Sequence, residues 1–459
     1  MNNFDELKHL YSRAGFGITF NTNLNNISLK SAVSALFADS ETRSPIHVIT
    51  ENIDMVNPKK LTPEDKRIKV VQRHMQDVSL NTAWLLQMCN SKAQLREKMT
   101  LFWHNHFACS VANPLFEQQL NNVHREYALG NFRDMLLKVS QSPAMLHFLN
   151  NEQNRKSHPN ENFAREVMEL FTLGRGNYTE QDIKEAARAF TGWTFNKDTG
   201  DYIFNAKVHD TGPKNFRGKS GSFTGEQVID MLLADKQTAR FICTKLYRYL
   251  VNEVPDKAQV EEMATVWYNA KYEVRPLLEH VFKSTWFYED KNVGTLIKSP
   301  IELLCSLTRQ FYVSYQDPLM LMQVQRVLGQ TLFRPPNVAG WSGGRNWIDS
   351  SSLMARLKLP STILSAGVLE ATGKVSAEDE LYVAAMQKQD SNVAANTTKS
   401  IPNWAKLVQS IPKGLAPLQV AGYILNSNIG PNLAARIKKQ PDTRAMLMMI
   451  VSTPEYQLC

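Results

Sequence analysis

KAQLREKMTLFWHNHF, residues 92–107, is the stretch on which the fold reading turns. Leu95, Met99, Phe102, Trp103 and His106 recur at i, i+4, i+7, i+8 and i+11, the spacing of one helical stripe. Ser91 stands where an N-cap would. On a helix, side chains two residues apart diverge by about 200°. His104 and His106 therefore cannot ligate one metal together unless the helix ends or distorts there. His106 lies on the apolar stripe and is expected to face the interior. A buried imidazole needs partners for its ring nitrogens. That partner is either a carbonyl or carboxylate, or else the ring has a metal or acid–base role. His104 aligns with Glu97, Thr100 and Leu101 on another face.

Working outward, most of the chain repeats this period. Helices are expected near 124–139, 225–234, 237–251, 256–269, 274–283, 298–313 and 318–328, then at 403–411, 415–426, 430–436 and 441–452. TEQDIKEAARAF, residues 179–190, opens on Thr179 with Asp182 three residues on, a capping-box pattern. The period breaks at 193–224, where TFNKDTGDYIFN reads as a hairpin turning at Lys197–Gly200, with an irregular loop after it. A second loop, FRPPNVAGWSGGRNW at 333–347, is rich in Pro, Gly and Trp. Its simplest role is a rigid turn docking Trp341. The expected fold is mainly α: a multi-helix globular array with a small β-hairpin and irregular loop insertion around 193–224. Residues 1–370 would form the helical core, 371–402 a linker or insertion, and 403–459 a C-terminal helical segment packing on the core.

Composition narrows the function classes. Of 459 residues, 43% are hydrophobic and 21% charged, enough apolar material for a large core. The +8 net charge is scattered, without the concentrated basic patch of a nucleic-acid binder. Five cysteines at long spacings, with no C-x-x-C, fit neither a disulfide framework nor a structural zinc site. No run of 18 apolar residues appears and MNNFDELKHLYSRAGFG has no signal core, so the expectation is a cytoplasmic protein off the membrane.

Three groups carry candidate chemistry. In NENFAREVMELFTLG, Asn162, Arg165, Glu166 and Glu169 share a helix face opposite Phe163, Val167, Leu170 and Phe171. Two carboxylates at i, i+3 can reach one cation; equally, Arg165 and Glu169 can form a surface i, i+4 pair worth about 0.2–0.5 kcal/mol. In HDTGPK, His209, Asp210 and Lys214 fit turn chemistry, a metal-ligand pair, or a general base with its orienting carboxylate. Finally, Arg13, Lys214, Arg345 and Arg356 are either anion binders or structural partners. No P-loop, G-x-S-x-G or H-E-x-x-H is present. His104, His106, Glu166 and Glu169 are the expected metal ligands, and Arg165, His209, Asp210 and Lys214 the expected catalytic residues. That donor mix suits a divalent metal such as zinc, iron or manganese.

Seven motifs in order carry a resemblance: HLYSRAGFG (9–17), MTLFWHNHFA (99–108), NENFAREVMELFTLGRGNYTEQDIKEAARAFTGW (160–193), HDTGPKNFRGKSG (209–221), IKSPIELL (297–304), PPNVAGWSGGRNWIDSSSLMAR (335–356) and STPEYQL (452–458). Together they resemble the bacterial family called domain of unknown function 1800, over nearly the whole chain. The resemblance implies a mostly helical fold. It also implies a companion from the family called domain of unknown function 1501, which is phosphatase-like or sulfatase-like, and it brings in relatives with export signals. Two function classes result. One is a metal-dependent oxidoreductase or hydrolase, favoured by buried convergent His and Glu. The other is a non-catalytic partner or maturation factor for the companion, favoured by an exposed Trp341/Trp347 patch. A third, haem binding, would use His106 as axial ligand.

Overall fold

The computed structural model describes residues 3–22, 24, 27–53, 61–316, 319–366, 368–370, 381 and 397–459. Helices dominate: α1 (Asn3–Ala14), α2 (Leu29–Asp39), α3 (Pro63–Asn90), α4 (Gln94–His106), α5 (Pro114–Tyr127), α6 (Phe132–Ser140), α7 (Pro143–Phe148), α8 (Asn162–Glu166), α9 (Glu180–Ala189), α10 (Gly225–Leu233), α11 (Lys236–Leu250), α12 (Lys257–Asn269) and α13 (Val274–Lys283). They continue as α14 (Pro300–Gln310), α15 (Leu319–Val327), α16 (Ser350–Leu364), α17 (Trp404–Ser410), α18 (Pro417–Ile424), α19 (Pro431–Lys438) and α20 (Thr443–Val451). The mainly α expectation therefore holds. None of these helices is long and apolar enough to cross a membrane.

Local signals act as their chemistry dictates. Thr179 and Asp182 form the full capping box of α9, with Asp182 N–H on Thr179 Oγ1 at 3.1 Å and Thr179 N–H on Asp182 Oδ2 at 2.9 Å. β1 (Trp193–Phe195) pairs antiparallel with β2 (Tyr202–Phe204), and the turn closes at Gly200, whose φ is +80°. Beyond it the chain forms a second hairpin in place of an irregular loop: β3 (Lys214–Phe216) with β4 (Lys219–Gly221), turning at Arg217 and Gly218, both with positive φ. A third sheet has the order β5 (Val313–Tyr315), β7 (Thr397–Pro402), β6 (Val368–Glu370). β7 thus occupies the end of the expected 371–402 insertion; 371–380 and 382–396 lie outside the described residues.

Three helix boundaries differ from expectation. Ser91 ends α3 instead of starting α4, although its Oγ accepts the Ala93 N–H at 3.0 Å. The single helix expected at 124–139 is two, because Asn131 caps α6 four residues after the end of α5. The 28-residue α3 was not anticipated, yet Thr62-Pro63-Glu64-Asp65 carries its signature, a capping box with Pro in the first turn.

The core has two parts. One cluster gathers apolar side chains from α1, α2 and α4–α13. The other gathers α3, α14, α15, the end of α16 and α17–α20. α4 runs between them. Leu95, Met99, Phe102 and Trp103 enter the first cluster, while Leu101 enters the second. Every α4 residue is buried except Asn105. The back of α4, opposite the apolar stripe, is buried as well. Its charges find distant partners: Glu97 takes the Arg125 guanidinium at 2.9 Å, and Lys98 pairs with Glu302 on α14.

Candidate functional site

The end of α4 turns three consecutive side chains to two distant segments, the 333–347 loop and the chain around Phe171. His104 Nε2 accepts the backbone N–H of Phe333 at 3.1 Å, so its proton sits on Nδ1. Burial among Trp84, Phe333 and Trp341 lowers its pKa to about 3, and Arg334 nearby contributes to the lowering. Asn105 holds Trp341 by both backbone groups, accepting its N–H at 2.8 Å and donating to its carbonyl at 3.2 Å. His106 lies 3.2 Å from the Phe171 carbonyl through Nε2. A carbonyl only accepts, so Nε2 carries the proton and Nδ1 receives one from Lys245 Nζ at 3.3 Å. Burial, then Lys245, holds His106 well below the usual histidine range. The two histidines diverge as helical geometry requires, but both are interior because both faces of α4 are covered.

The carbonyls that meet His106 and Lys245 are exposed by a change of helix type. After α8 the chain continues as a π-helical turn, Val167–Thr172. Both Leu173 N–H and Gly174 N–H bond to Met168 O, at 2.9 and 3.2 Å. Leu170 O and Phe171 O are left to side chains: Lys245 donates to the first at 3.0 Å and His106 to the second. π turns of this kind recur at functional sites.

Beside this junction lies a cavity of about 480 Å³. Phe102, Asn105 and His106 form one wall, and Lys245, Arg248 and Tyr249 of α11 a second. The 339–347 loop, with Trp341 and Trp347, closes a third. Gly340 lets the loop approach: its φ is +78°, and a Cβ there would lie 2.3 Å from Asn105 Oδ1. Glu253 packs against Gly344 of the same loop and lies 4.0 Å from Arg345. Burial lowers the Lys245 pKa to about 8. Two of its three ammonium directions are spent on Leu170 and His106, and Phe241 lies under it at 4.6 Å. Lys245 itself lines the cavity.

The expected catalytic and metal residues fall elsewhere. Arg165 does not pair with Glu169; it makes two 2.9 Å contacts with Glu180 on the surface. Glu169 pairs instead with the Tyr178 hydroxyl, with Arg175 3.9 Å away. Glu166 is half-buried, and burial then Glu169 raise its pKa. His106 reaches this segment only through the Phe171 carbonyl. Among the described residues no group of three or more His, Cys, Asp or Glu is gathered to hold a metal ion, so His104, His106, Glu166 and Glu169 do not converge as the expected ligand set. Both His106 nitrogens are engaged, which also leaves no free position for a haem iron.

The polar groups of HDTGPK are engaged with the end of α9 and with their own loop. Asp210 takes the Arg188 guanidinium at 2.7 and 3.3 Å, and these bonds with that of the Gly212 N–H bring its pKa below the usual range despite partial burial. His209 Nδ1 meets Thr191 O at 2.8 Å. Lys214 Nζ donates to Asp210 O at 2.6 Å and Gly212 O at 3.1 Å. The loop is thereby fastened to the end of α9. Trp341 is buried and Trp347 lines the cavity, so neither forms an exposed patch.

Lys245 was missed by sequence reasoning. The signal was present: RFICTKLYRYL places it on an i, i+4 stripe between Phe241 and Tyr249, where a charge is out of place. No curated protein and no solved structure matches the chain. A family model described as "Protein of unknown function (DUF1800)" matches residues 9–458, and the chain belongs to that family.

Proposed function

We propose that the chain is an enzyme acting on a small molecule with an anionic and an apolar part, its chemistry centred on Lys245 assisted by His106. The observation that carries this is a lysine of pKa about 8 on the wall of a 480 Å³ cavity, hydrogen-bonded to a neutral histidine. Cavities of this size suit small ligands, and perturbed lysines cluster where protons or carbonyl groups are handled. Trp341, Phe102 and Leu296 supply apolar surface; Lys245 and the exposed Arg248 supply positive charge. Below pH 8 the ammonium holds an anion. Above it, the free amine accepts a proton from the bound molecule. This reading replaces a divalent metal with an amine as the reactive group. The partner reading, docking of a companion through the 333–347 loop, has less support because its aromatic anchors face inward.

Competitive labelling with trace acetic anhydride across pH 6–11, read by mass spectrometry, tests the proposal. Lys245 is expected to titrate near pH 8 while exposed lysines titrate near about 10.4, and His106→Ala is expected to move the Lys245 midpoint. A Lys245 midpoint with the surface lysines sinks the reading. The stability consequence has a definite sign. The unfolded chain holds this proton up to about pH 10.4 and the folded chain only to about 8, so folding works against the buried charge below pH 8. Wild type should therefore gain stability relative to Lys245→Met between pH 8 and 10.

A further inference from the structure

Around the start of α14 the interior collects positive charge that it does not balance. Arg13, Lys98, Lys298 and Arg356 are 1, 1, 4 and 0% exposed. Lys98 pairs with Glu302. Lys298 Nζ donates to the Tyr456 carbonyl at 2.8 Å and lies over the Tyr456 ring. Arg13 spends Nη2 on the Asn292 carbonyl at 2.7 Å, and Arg356 spends Nη2 on the Lys298 carbonyl at 2.5 Å. The Nε and Nη1 of both arginines are buried without a hydrogen-bond partner. The carboxylate acting on Arg13, Lys298 and Arg356 is that of Glu302. Four cationic side chains thus face one carboxylate side chain. Unpaired charge in the interior is costly, and unsatisfied guanidinium N–H groups add to the cost.

A crevice opens onto this cluster. Lys98, Lys298 and Glu302 line it, together with Ser12, Ser306 and Gln310. Its interior is narrow: the centre of a water-sized sphere has about 10 Å³ in which to sit. Glu302 stands between this crevice and the larger cavity, since it lines both.

We propose that this crevice is a built site for one small anion, of chloride or carboxylate size, held by Lys98 and Lys298 with Arg13 and Arg356 behind them. The occupant neutralises the excess charge at the junction of α1, α4, α14 and α16. The proposal is independent of the lysine chemistry above, since Lys245 takes no part in it. It also gives Arg13 and Arg356 a shared role, whereas Lys214 caps carbonyls and Arg345 lies in solvent.

The test is thermal unfolding of the full chain at constant ionic strength, with sodium gluconate replaced stepwise by sodium chloride or, separately, sodium formate. The midpoint should rise in one or both arms and saturate; chloride alone indicates a halide site, formate a carboxylate site. A flat response in both overturns the proposal. Lys298→Met and Arg356→Met should each lose the increment, and an equal increment in both variants marks a general salt effect and overturns it. Crystals of the wild type soaked in sodium bromide give a second reading that needs no variant. An anomalous peak between Lys98 and Lys298 supports the site, and a map with no peak there refutes it.

Discussion

Arg125→Met should cost about 3–5 kcal/mol of folding stability, the range for breaking a buried ion pair from one side. Arg125 and Glu97 are each 1% exposed and meet at 2.9 and 3.3 Å. Glu97 also accepts from Trp84 Nε1 at 3.0 Å and from Gln87 Nε2 at 2.8 Å. These bonds satisfy its lone pairs but carry no charge. With Arg125 gone, a carboxylate stays buried between the two core clusters with no cation hydrogen-bonded to it, since Arg96 spends its guanidinium on backbone carbonyls. Urea denaturation followed by tryptophan fluorescence measures the loss. A double variant, Glu97→Gln with Arg125→Met, should recover about 1 kcal/mol of it or more, because the orphaned charge is removed. A single-variant loss under about 1 kcal/mol would show that the pair is not holding α4 against α5.

The second large effect is expected at Gly340. Gly340→Ala introduces a Cβ 2.3 Å from Asn105 Oδ1 and 2.6 Å from the Asn105 carbonyl oxygen. One contact is with backbone, which cannot swing aside. The left-handed conformation adds about 1–2 kcal/mol for any residue bearing a Cβ. Displacing Asn105 then loses its two bonds to Trp341, about 1 kcal/mol each. The sum is about 3–4 kcal/mol, and the cavity loses its loop wall. Gly176→Ala is the comparison: its φ is +82° with nothing within 4 Å, so it should cost only the conformational part. Equal losses at the two positions would show that contact with Asn105 contributes nothing.

How much of this could be read from the chain varies with the physics behind each feature. Helices with a repeated apolar period and a cap were legible, as at α9, because both signals are local. So was the first hairpin, whose turn lies within Asn196–Asp201. The double burial of α4 was not legible. Glu97 and Lys98 look like a solvent face until Arg125 and Glu302 arrive, one 28 and the other 204 residues away. The expected site failed for a related reason. Arg165, Glu166 and Glu169 were placed by regular α geometry, whereas Arg165 pairs with Glu180 and Glu169 with Tyr178. His209, Asp210 and Lys214 share the right chemical types but use their polar atoms to fasten a hairpin. His106 was correctly assigned to the interior, and its carbonyl partner was one of the two alternatives. Its second partner, Lys245, comes from a helix 139 residues on.

The run His104, Asn105, His106 has a consequence for how the chain acquires its structure. These neighbours bond to residues 229, 236 and 65 positions away. Contacts of such separation are closed late, after much chain entropy has been lost, and they slow folding. Because α4 is the shared wall of both core clusters, neither half can be completed while the other is missing its side of that wall. Folding should accordingly converge on one late step in which the 333–347 segment and the π turn lock onto the end of α4, and the cavity beside Lys245 comes into being only at that step.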